Sequence, residues 1–451
     1  MKYNFPVKDF YLAREVIEPD FDISQYESRL YVDLSPARIS KITEDYRKSI
    51  KTALNVDSRS NRINRRTATT HYKKILFTGF RGTGKTTELQ KIQKELTGPS
   101  AYYTVFVALE SELEMTNFHY EDFFIMLILK LARNINKDDK LKHNAHFLDS
   151  IIEDWISEKE VIKEIEKEAK MQGEVSTGGG FNLLNFFKTD FNIKSALAFG
   201  TKAATKIRKN IKDNLNQVIE KFNKALEEIR PTISKNKRGK DILFIIDGLE
   251  KAPYLEYEKL IVKNAHAIFD INAHILTTVP INAQYLAEIW AEQSKFEIFI
   301  FPVIKVDNFY NRLLMTEVIT RRIDKETFFD NKIIKRKVGN EYLENYEVLD
   351  YIVRMSGGVL RQLFHIVRYV LLYSVEEKLT TAKAKDLLRD YGRRMYETLN
   401  SNQKKILEEF KEGKRDLTPA DKDDGILLFN LFILKYNDSF YLNPLIEQFI
   451  K

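Results

Sequence analysis

The sequence predicts an α/β fold built on a five-stranded parallel sheet. Three observations lead there. Short, almost wholly apolar runs alternate with stretches of helical periodicity, which is how parallel strands buried on both faces read. The first run opens into a glycine-rich turn and then an amphipathic helix. A later run ends on a lone aspartate, and another ends on two threonines before a proline.

Composition sets the frame. The chain has 451 residues, 43% of them hydrophobic and 30% charged, which suits two or three packed domains rather than a disordered polymer. There is no cysteine, so disulfides, thiolate metal sites and thiol nucleophiles are excluded together. The opening MKYNFPVKDF lacks the apolar region of a secretory signal. The most apolar long stretch, 181–200, is interrupted by Lys188, Asp190 and Lys194, so no membrane span is expected and the expected location is cytoplasmic.

The first strand is Ile75, Leu76 and Phe77. Residues Gly79 to Thr86 then satisfy G-x-x-x-x-G-K-[ST], and TELQKIQKEL continues as a helix. Glycines permit a tight turn that aims successive backbone N–H groups at phosphate oxygens, and the helix N-terminus adds its dipole. Gly79, Arg81, Gly82, Thr83, Gly84, Lys85, Thr86 and Thr87 form the expected phosphate-binding set. Lys85 is expected to reach β- and γ-phosphates, and Thr86 to ligate Mg²⁺. The spacing is not the G-x-G-x-x-G of dinucleotide folds, which disfavours a dehydrogenase.

A second strand is expected at 102–108, followed by a long helical insert over 112–240. The acid strand follows, DILFIID, ending at Asp247, which is placed to hold Mg²⁺ through water. Gly248 stands where a water-polarising glutamate would be expected, and the first available acid is Glu250. That residue either orients water from the turn or is a surface acid. The next strand, AHILTTV, brings Thr277 and Thr278 to its tip, between the tips of the first strand and the acid strand. There a threonine can sense the γ-phosphate, unless the pair merely closes a strand. Phe296–Phe301 forms the last strand.

The insert carries helices at Phe118–Ala132 and Ile156–Lys170, a glycine loop at Gly178–Gly180, and an apolar stripe. Ile207, Ile211, Leu215, Val218, Phe222, Leu226 and Ile229 keep helical spacing, as core or as a docking face. Beyond 305 the pattern turns helical. In MSGGVLRQLFHIVRYVLL, Leu360, Phe364, Val367 and Leu371 share one face, while Arg361, His365 and Arg368 share another. Gly357 and Gly358 allow a close backbone approach, and Arg361 can reach phosphate.

GFRGTGKTTEL, IIDGLE, LTTVP and SGGVLRQL, in that order across roughly 70–375, resemble the AAA+ and STAND superfamily of prokaryotic ATPases. Bacterial relatives of origin-recognition-type ATPases are the nearest pattern. The resemblance implies ATP and Mg²⁺ as ligands, Thr278 at sensor 1 and Arg361 at sensor 2. Lys85, Asp247, Glu250, Thr278 and Arg361 would be the catalytic set. The acid pair after the strand is missing, and Val279 and Pro280 follow Thr278 where an arginine often stands; both imply slow hydrolysis. Arg321 and Arg322 are the best-placed arginine-finger candidates. No base-reading N/T-K-x-D follows the acid strand, which favours ATP over GTP.

Residues 401–451 read as a winged-helix-like module: helices at 402–412 and 423–430, then a hairpin turning at Asn437–Asp438. The segment holds 8 Lys and Arg against 9 Asp and Glu, and its second helix offers no base-reading side chain, so packing or protein binding is favoured over DNA. Basicity concentrates instead in 35–75, with 11 Lys and Arg against 3 Asp and Glu, and in 191–240, with 13 against 4. These are either nucleic-acid surfaces or solvated helix faces. His143 and His146 read as ordinary surface histidines.

The expected organisation is thus an N-terminal segment (1–70), an ATPase core (71–305), a helical lid (306–400) and the C-terminal module (401–451). The expected function is a slow ATPase switch coupling nucleotide state to self-assembly or to a separate effector protein, as in bacterial antiphage defence. The alternative is a DNA-binding initiator or loader; a third reading is a scaffold that keeps nucleotide for stability.

Overall fold

A computed structural model of the protein describes residues 3–21, 23, 26–38, 45–64, 71–156, 163, 202–291, 293–375, 377–436 and 439–450. Most of the charged helix expected at 156–170, the Gly178–Gly180 loop, the 181–200 stretch and the Asn437–Asp438 turn lie outside those residues.

The elements, in chain order, are α1 (Phe10–Val16), α2 (Tyr46–Ala53), β1 (Lys74–Thr78), α3 (Lys85–Leu96), β2 (Tyr102–Ala108), α4 (Tyr120–Lys137), α5 (Asp149–Ile156), α6 (Lys202–Asp213), α7 (Leu215–Lys235) and β3 (Asp241–Asp247). Then come β4 (His274–Val279), β5 (Phe296–Ile300), α8 (Phe309–Thr320), β6 (Ile333–Val338), β7 (Glu341–Tyr346), α9 (Glu347–Met355), α10 (Leu360–Leu372), α11 (Thr381–Glu397), α12 (Ser401–Lys411), α13 (Lys422–Phe429), β8 (Ile433–Tyr436) and β9 (Ser439–Leu442). The chain divides into two compact units. One comprises Met1–Tyr46, Gly79–Lys85 and Ile300–Lys451; the other comprises Arg47–Thr78 and Thr86–Phe299.

The second unit carries the parallel sheet, in the order β2-β3-β4-β1-β5. The strand β4 therefore lies between β3 and β1, the arrangement of the additional-strand class. Thr277 pairs with Leu76 on one side and Ile246 on the other, which brings the ends of the three strands level. Ile75, Leu76, Phe77 and Ile242 to Ile246 are fully buried, as their apolar runs require.

Lys74, at the opposite end of β1, is buried too. Its ammonium donates to the Ile271 and Ala273 carbonyls at 2.7 and 2.6 Å. Burial first, and then the charge of Lys295, press its pKa down to about 7, against the pull of Asp270 and Asp241.

The apolar stripe of 207–229 is core, every member being buried. Two helices carry it rather than one. The chain breaks at Asn214, whose amide reaches both Asn210 and Ile211 carbonyls, yet the stripe keeps its face across the break. Arg208 fixes α6 to α4 through a two-pronged pair with Asp122, at 2.8 and 2.9 Å. Burial pushes the Asp122 carboxyl up, against the pull of Arg208.

In the first unit, Tyr3, Val7, Ala13, Val16 and Ile17 pack with α8, α9, α10 and α11 into one core. The region beyond 305 is not helical throughout. β6 and β7 form an antiparallel hairpin around Gly339, whose φ of 62° suits a tight two-residue turn. One face is mostly exposed, while the other, with Ile334, Val338, Leu343 and Asn345, is mostly half-buried but mixes its apolar residues with Arg336, Glu341 and Asn345, so it lacks the clean apolar alternation that marks a half-buried hairpin. The C-terminal helices α12 and α13 and the β8–β9 pair follow the expected order. Among the described residues no helix is long and apolar enough to cross a membrane.

Candidate functional site

In the first unit the glycine-rich loop is held by its carbonyls. Gly82 and Gly84 adopt φ of 78° and 97°, values that disfavour a side chain. The backbone N–H of Arg361, at the start of α10, donates to the Gly82 carbonyl at 2.9 Å. The approach is so close that a Cβ on Gly82 would collide with the Arg361 Cβ. A Cβ on Gly84 would lie 3.2 Å from Leu360 Cδ1. The next carbonyl, that of Thr83, accepts from Arg38 Nη2 at 2.7 Å. Lys85 is buried, its ammonium donating to the Gly79 and Phe80 carbonyls at 3.0 and 2.9 Å.

Gly357 and Gly358 make the turn into α10, with φ of 57° and 76°. A Cβ on Gly358 would strike the Ile304 carbonyl and one on Gly357 the Leu434 side chain, so both glycines serve close approach. Tyr436 donates to the Gly357 carbonyl at 2.7 Å. Gln362 and Asn443 exchange amide hydrogen bonds at 3.3 and 3.1 Å, joining α10 to the C-terminal module.

The Arg361 guanidinium itself pairs with Asp20 at 2.8 Å, and Arg368 pairs with Glu18. Burial, with those two arginines beside it, holds His365 below its ordinary value. Of the arginine-finger candidates, Arg322 is buried, donating to the Val318 carbonyl at 2.8 Å beneath the Phe364 ring; burial lowers its pKa to about 10. It is a core residue of the first unit's helices and not an exposed finger. Arg321 pairs with Glu317 and donates to the Tyr31 carbonyl.

In the second unit the strand tips converge. Asp247 ends β3 and is 7% exposed. Gly248 follows with φ of 101°, and its amide donates to the Thr278 hydroxyl at 2.9 Å. Thr278 is wholly buried. Glu250 sits in the short turn Leu249–Lys251 and is 6% exposed, so it is an inward-facing acid and not a surface one. Thr86 is exposed in the first turn of α3, and Thr87 is half-buried. The Thr86 hydroxyl and Asp247 carboxylate are hard oxygen donors of the kind Mg²⁺ takes. Arg81, in the loop, is exposed.

Some basic side chains of the two stretches are taken up by internal pairs. Arg47 binds Glu88 at 2.6 Å, Lys51 binds Glu95 at 2.6 Å, and Lys73 binds Glu297 at 2.6 Å. Arg208, Arg230 and Arg238 bind Asp122, Asp241 and Asp138. Sequence reasoning missed Arg38 as a loop contact. Its partners are 45 and 264 residues away, and no motif marks it.

No family model matches the chain, and no curated protein matches it. Among solved structures, it is similar to a Walker-type ATPase of Pyrococcus abyssi, at 12% identity, covering 90% of this chain and 95% of that one, with a TM-score of 0.41. A likeness of that size carries no inference about activity.

Proposed function

We propose that the chain is an ATP-binding, slowly hydrolysing regulatory switch of AAA+/STAND type, in which nucleotide state sets self-assembly or engagement of a separate effector protein. The observation that carries it is the Arg361 amide on the Gly82 carbonyl. That bond makes the lid helix α10 a neighbour of the loop that would receive phosphate, so a change in the loop is felt at once by the lid. Gln362, the next residue, passes it to the C-terminal module through Asn443.

In this reading the loop amides and Lys85 take the phosphates, and Lys85 leaves the Gly79 and Phe80 carbonyls to do so. Mg²⁺, held by Thr86 and Asp247, would neutralise phosphate charge. Thr278, accepting the Gly248 amide, keeps its own proton to donate. Slow turnover follows from Gly248: a glutamate there would have to adopt φ near 101°, so the turn itself disfavours the usual water-polarising residue. Glu250 takes that role from the following turn. A role in bacterial antiphage defence fits a switch of this kind that acts through another protein. The initiator alternative would have to use the basic side chains of 35–75 and 191–240 other than Arg47, Lys51, Lys73, Arg208, Arg230 and Arg238, which are paired internally.

The test is calorimetric titration with ATP and ADP, with phosphate release and light scattering in parallel. Micromolar-range ATP binding, slow release and a nucleotide-dependent change in mass are expected. Lys85→Ala should abolish binding with normal circular dichroism. Unchanged affinity in Lys85→Ala would refute the site. High-affinity DNA binding with a steep salt dependence would favour the initiator instead.

A further inference from the structure

We propose that Arg38 is a positioning residue for the phosphate-binding loop, fixing the Thr83–Gly84 peptide so that the Gly84 amide faces the anion. The inference rests on the phosphate-site reading above and adds to it a residue from outside every motif.

Arg38 is 4% exposed and follows the one-turn helix Ser35–Ala37. Its guanidinium reaches several groups of the described residues. Nη2 donates to the Thr83 carbonyl at 2.7 Å, Nη1 donates to the Pro302 carbonyl, and the guanidinium carbon lies 4.0 Å from the Phe301 ring centroid. Phe301 and Pro302 belong to the same unit as the loop, so one cation ties the glycine loop to the chain segment at 301–302.

The consequence follows from peptide geometry. In a trans peptide the C=O and N–H point opposite ways. Pinning the Thr83 carbonyl towards Arg38 turns the Gly84 N–H to the other side. The Arg361 amide on the Gly82 carbonyl does the same for the Thr83 N–H. Two successive N–H groups are thereby held facing away from the two anchors, the arrangement that makes a concave anion-binding nest. A carbonyl engaged by a cation also polarises its own peptide, which makes the attached N–H a stronger donor. Gly82 and Gly84 supply the backbone freedom, and Arg38 selects the conformation from within it.

A purely structural staple would hold the fold without altering the loop's affinity. Arg312 is such a staple in the same unit. It is 2% exposed, pairs with Asp350 at 2.5 Å and donates to the Val306 and Asp307 carbonyls rather than to the glycine loop.

The experiment uses the full chain and measures dissociation constants for ATP and for inorganic pyrophosphate, together with ligand-free melting temperatures. Arg38→Gln should weaken both ligands by ~10- to 100-fold, the scale of one lost charge-assisted hydrogen bond. Arg38→Lys keeps a cation within reach of Thr83 and should recover most of that loss. Arg312→Gln should lower the melting temperature and leave both affinities unchanged. Should Arg38→Gln fail to fold, Arg38→Lys carries the test, with affinity a fewfold below wild type. Wild-type pyrophosphate affinity in Arg38→Gln, or equal weakening in Arg312→Gln, would overturn the assignment. Failure of the wild type to bind ATP or pyrophosphate would instead overturn the phosphate-site reading, and this inference with it.

Discussion

The Thr278 hydroxyl accepts the backbone N–H of Gly248 at 2.9 Å, so the tip of β4 is bonded to the residue that follows Asp247 at the tip of β3. Both groups are buried. The bond uses a lone pair of the hydroxyl and leaves its proton for another acceptor. It also fixes the turn in which Gly248 adopts a left-handed φ of 101°, which disfavours any side chain at position 248.

Thr278→Val is therefore expected to act twice. The buried Gly248 amide loses its acceptor, which costs about 1–3 kcal/mol of stability. Turnover should fall while ATP affinity changes little, because the loop and Lys85 are untouched. Thr278→Ser, which keeps the hydroxyl, should restore turnover. Denaturant unfolding beside phosphate-release assays checks both, and full turnover in Thr278→Val would remove the residue from the mechanism.

In the proposed switch, Glu250 and Gly248 together set the rate. With the water-orienting acid displaced to a turn, removing it should cost the ~10²–10⁴-fold typical of general-base positioning. Glu250→Gln is expected to bind ATP normally, to release almost no phosphate and to accumulate the assembled form in light scattering. Asp247→Ala should instead lose the Mg²⁺ dependence of binding. If Glu250→Gln hydrolyses ATP at the wild-type rate, the acid is structural.

The loop and lid respond differently to two substitutions at one contact. Arg361→Ala removes the guanidinium and its ion pair with Asp20 but keeps the amide that donates to the Gly82 carbonyl. ATP should still bind, and the nucleotide-dependent change in mass should be lost. Gly82→Ala puts a methyl group into the Arg361 Cβ and forces φ of 78° on a substituted residue, so it should separate lid from loop and lose ATP binding as well. Equal behaviour of the two variants in calorimetry would contradict this division of labour.

What could be read from sequence divides along physical lines. Buried parallel strands must be continuously apolar and a tight strand-to-helix turn needs glycine where φ is positive, so β1, β3, β4 and the turn at 79–86 were legible as structure. The hairpin of β6 and β7 was not. Ile333, Lys335 and Lys337 alternate with Ile334, Arg336 and Val338, and no face is consistently apolar. The Gly339–Asn340 pair was the available signal. Arg38 was hidden for another reason: its role exists only once distant chain segments meet, and in sequence it is one of several arginines in a basic stretch.

Lys74 makes stability depend on pH in a definite direction. In the folded chain its ammonium titrates near 7, whereas the unfolded side chain titrates near 10.5. Between those values the unfolded state binds the additional proton, so unfolding free energy rises as pH rises through this window. The contribution is complete above the unfolded value and is lost as pH falls through about 7. At 1.36 kcal/mol per unit the full span is at most about 5 kcal/mol. The measurement belongs between roughly pH 6.5 and 9.5, because the buried Tyr102, whose pKa is raised by burial, opposes the trend once unfolded tyrosine ionises near 10. Lys74→Met removes the titration and leaves the Ile271 and Ala273 carbonyls without their donor. It should therefore lower stability at pH 9 and flatten the dependence below it. Urea unfolding of both proteins across the range decides the matter: parallel slopes would mean that Lys74 stays charged in the fold, held by its two carbonyls against the cost of burial.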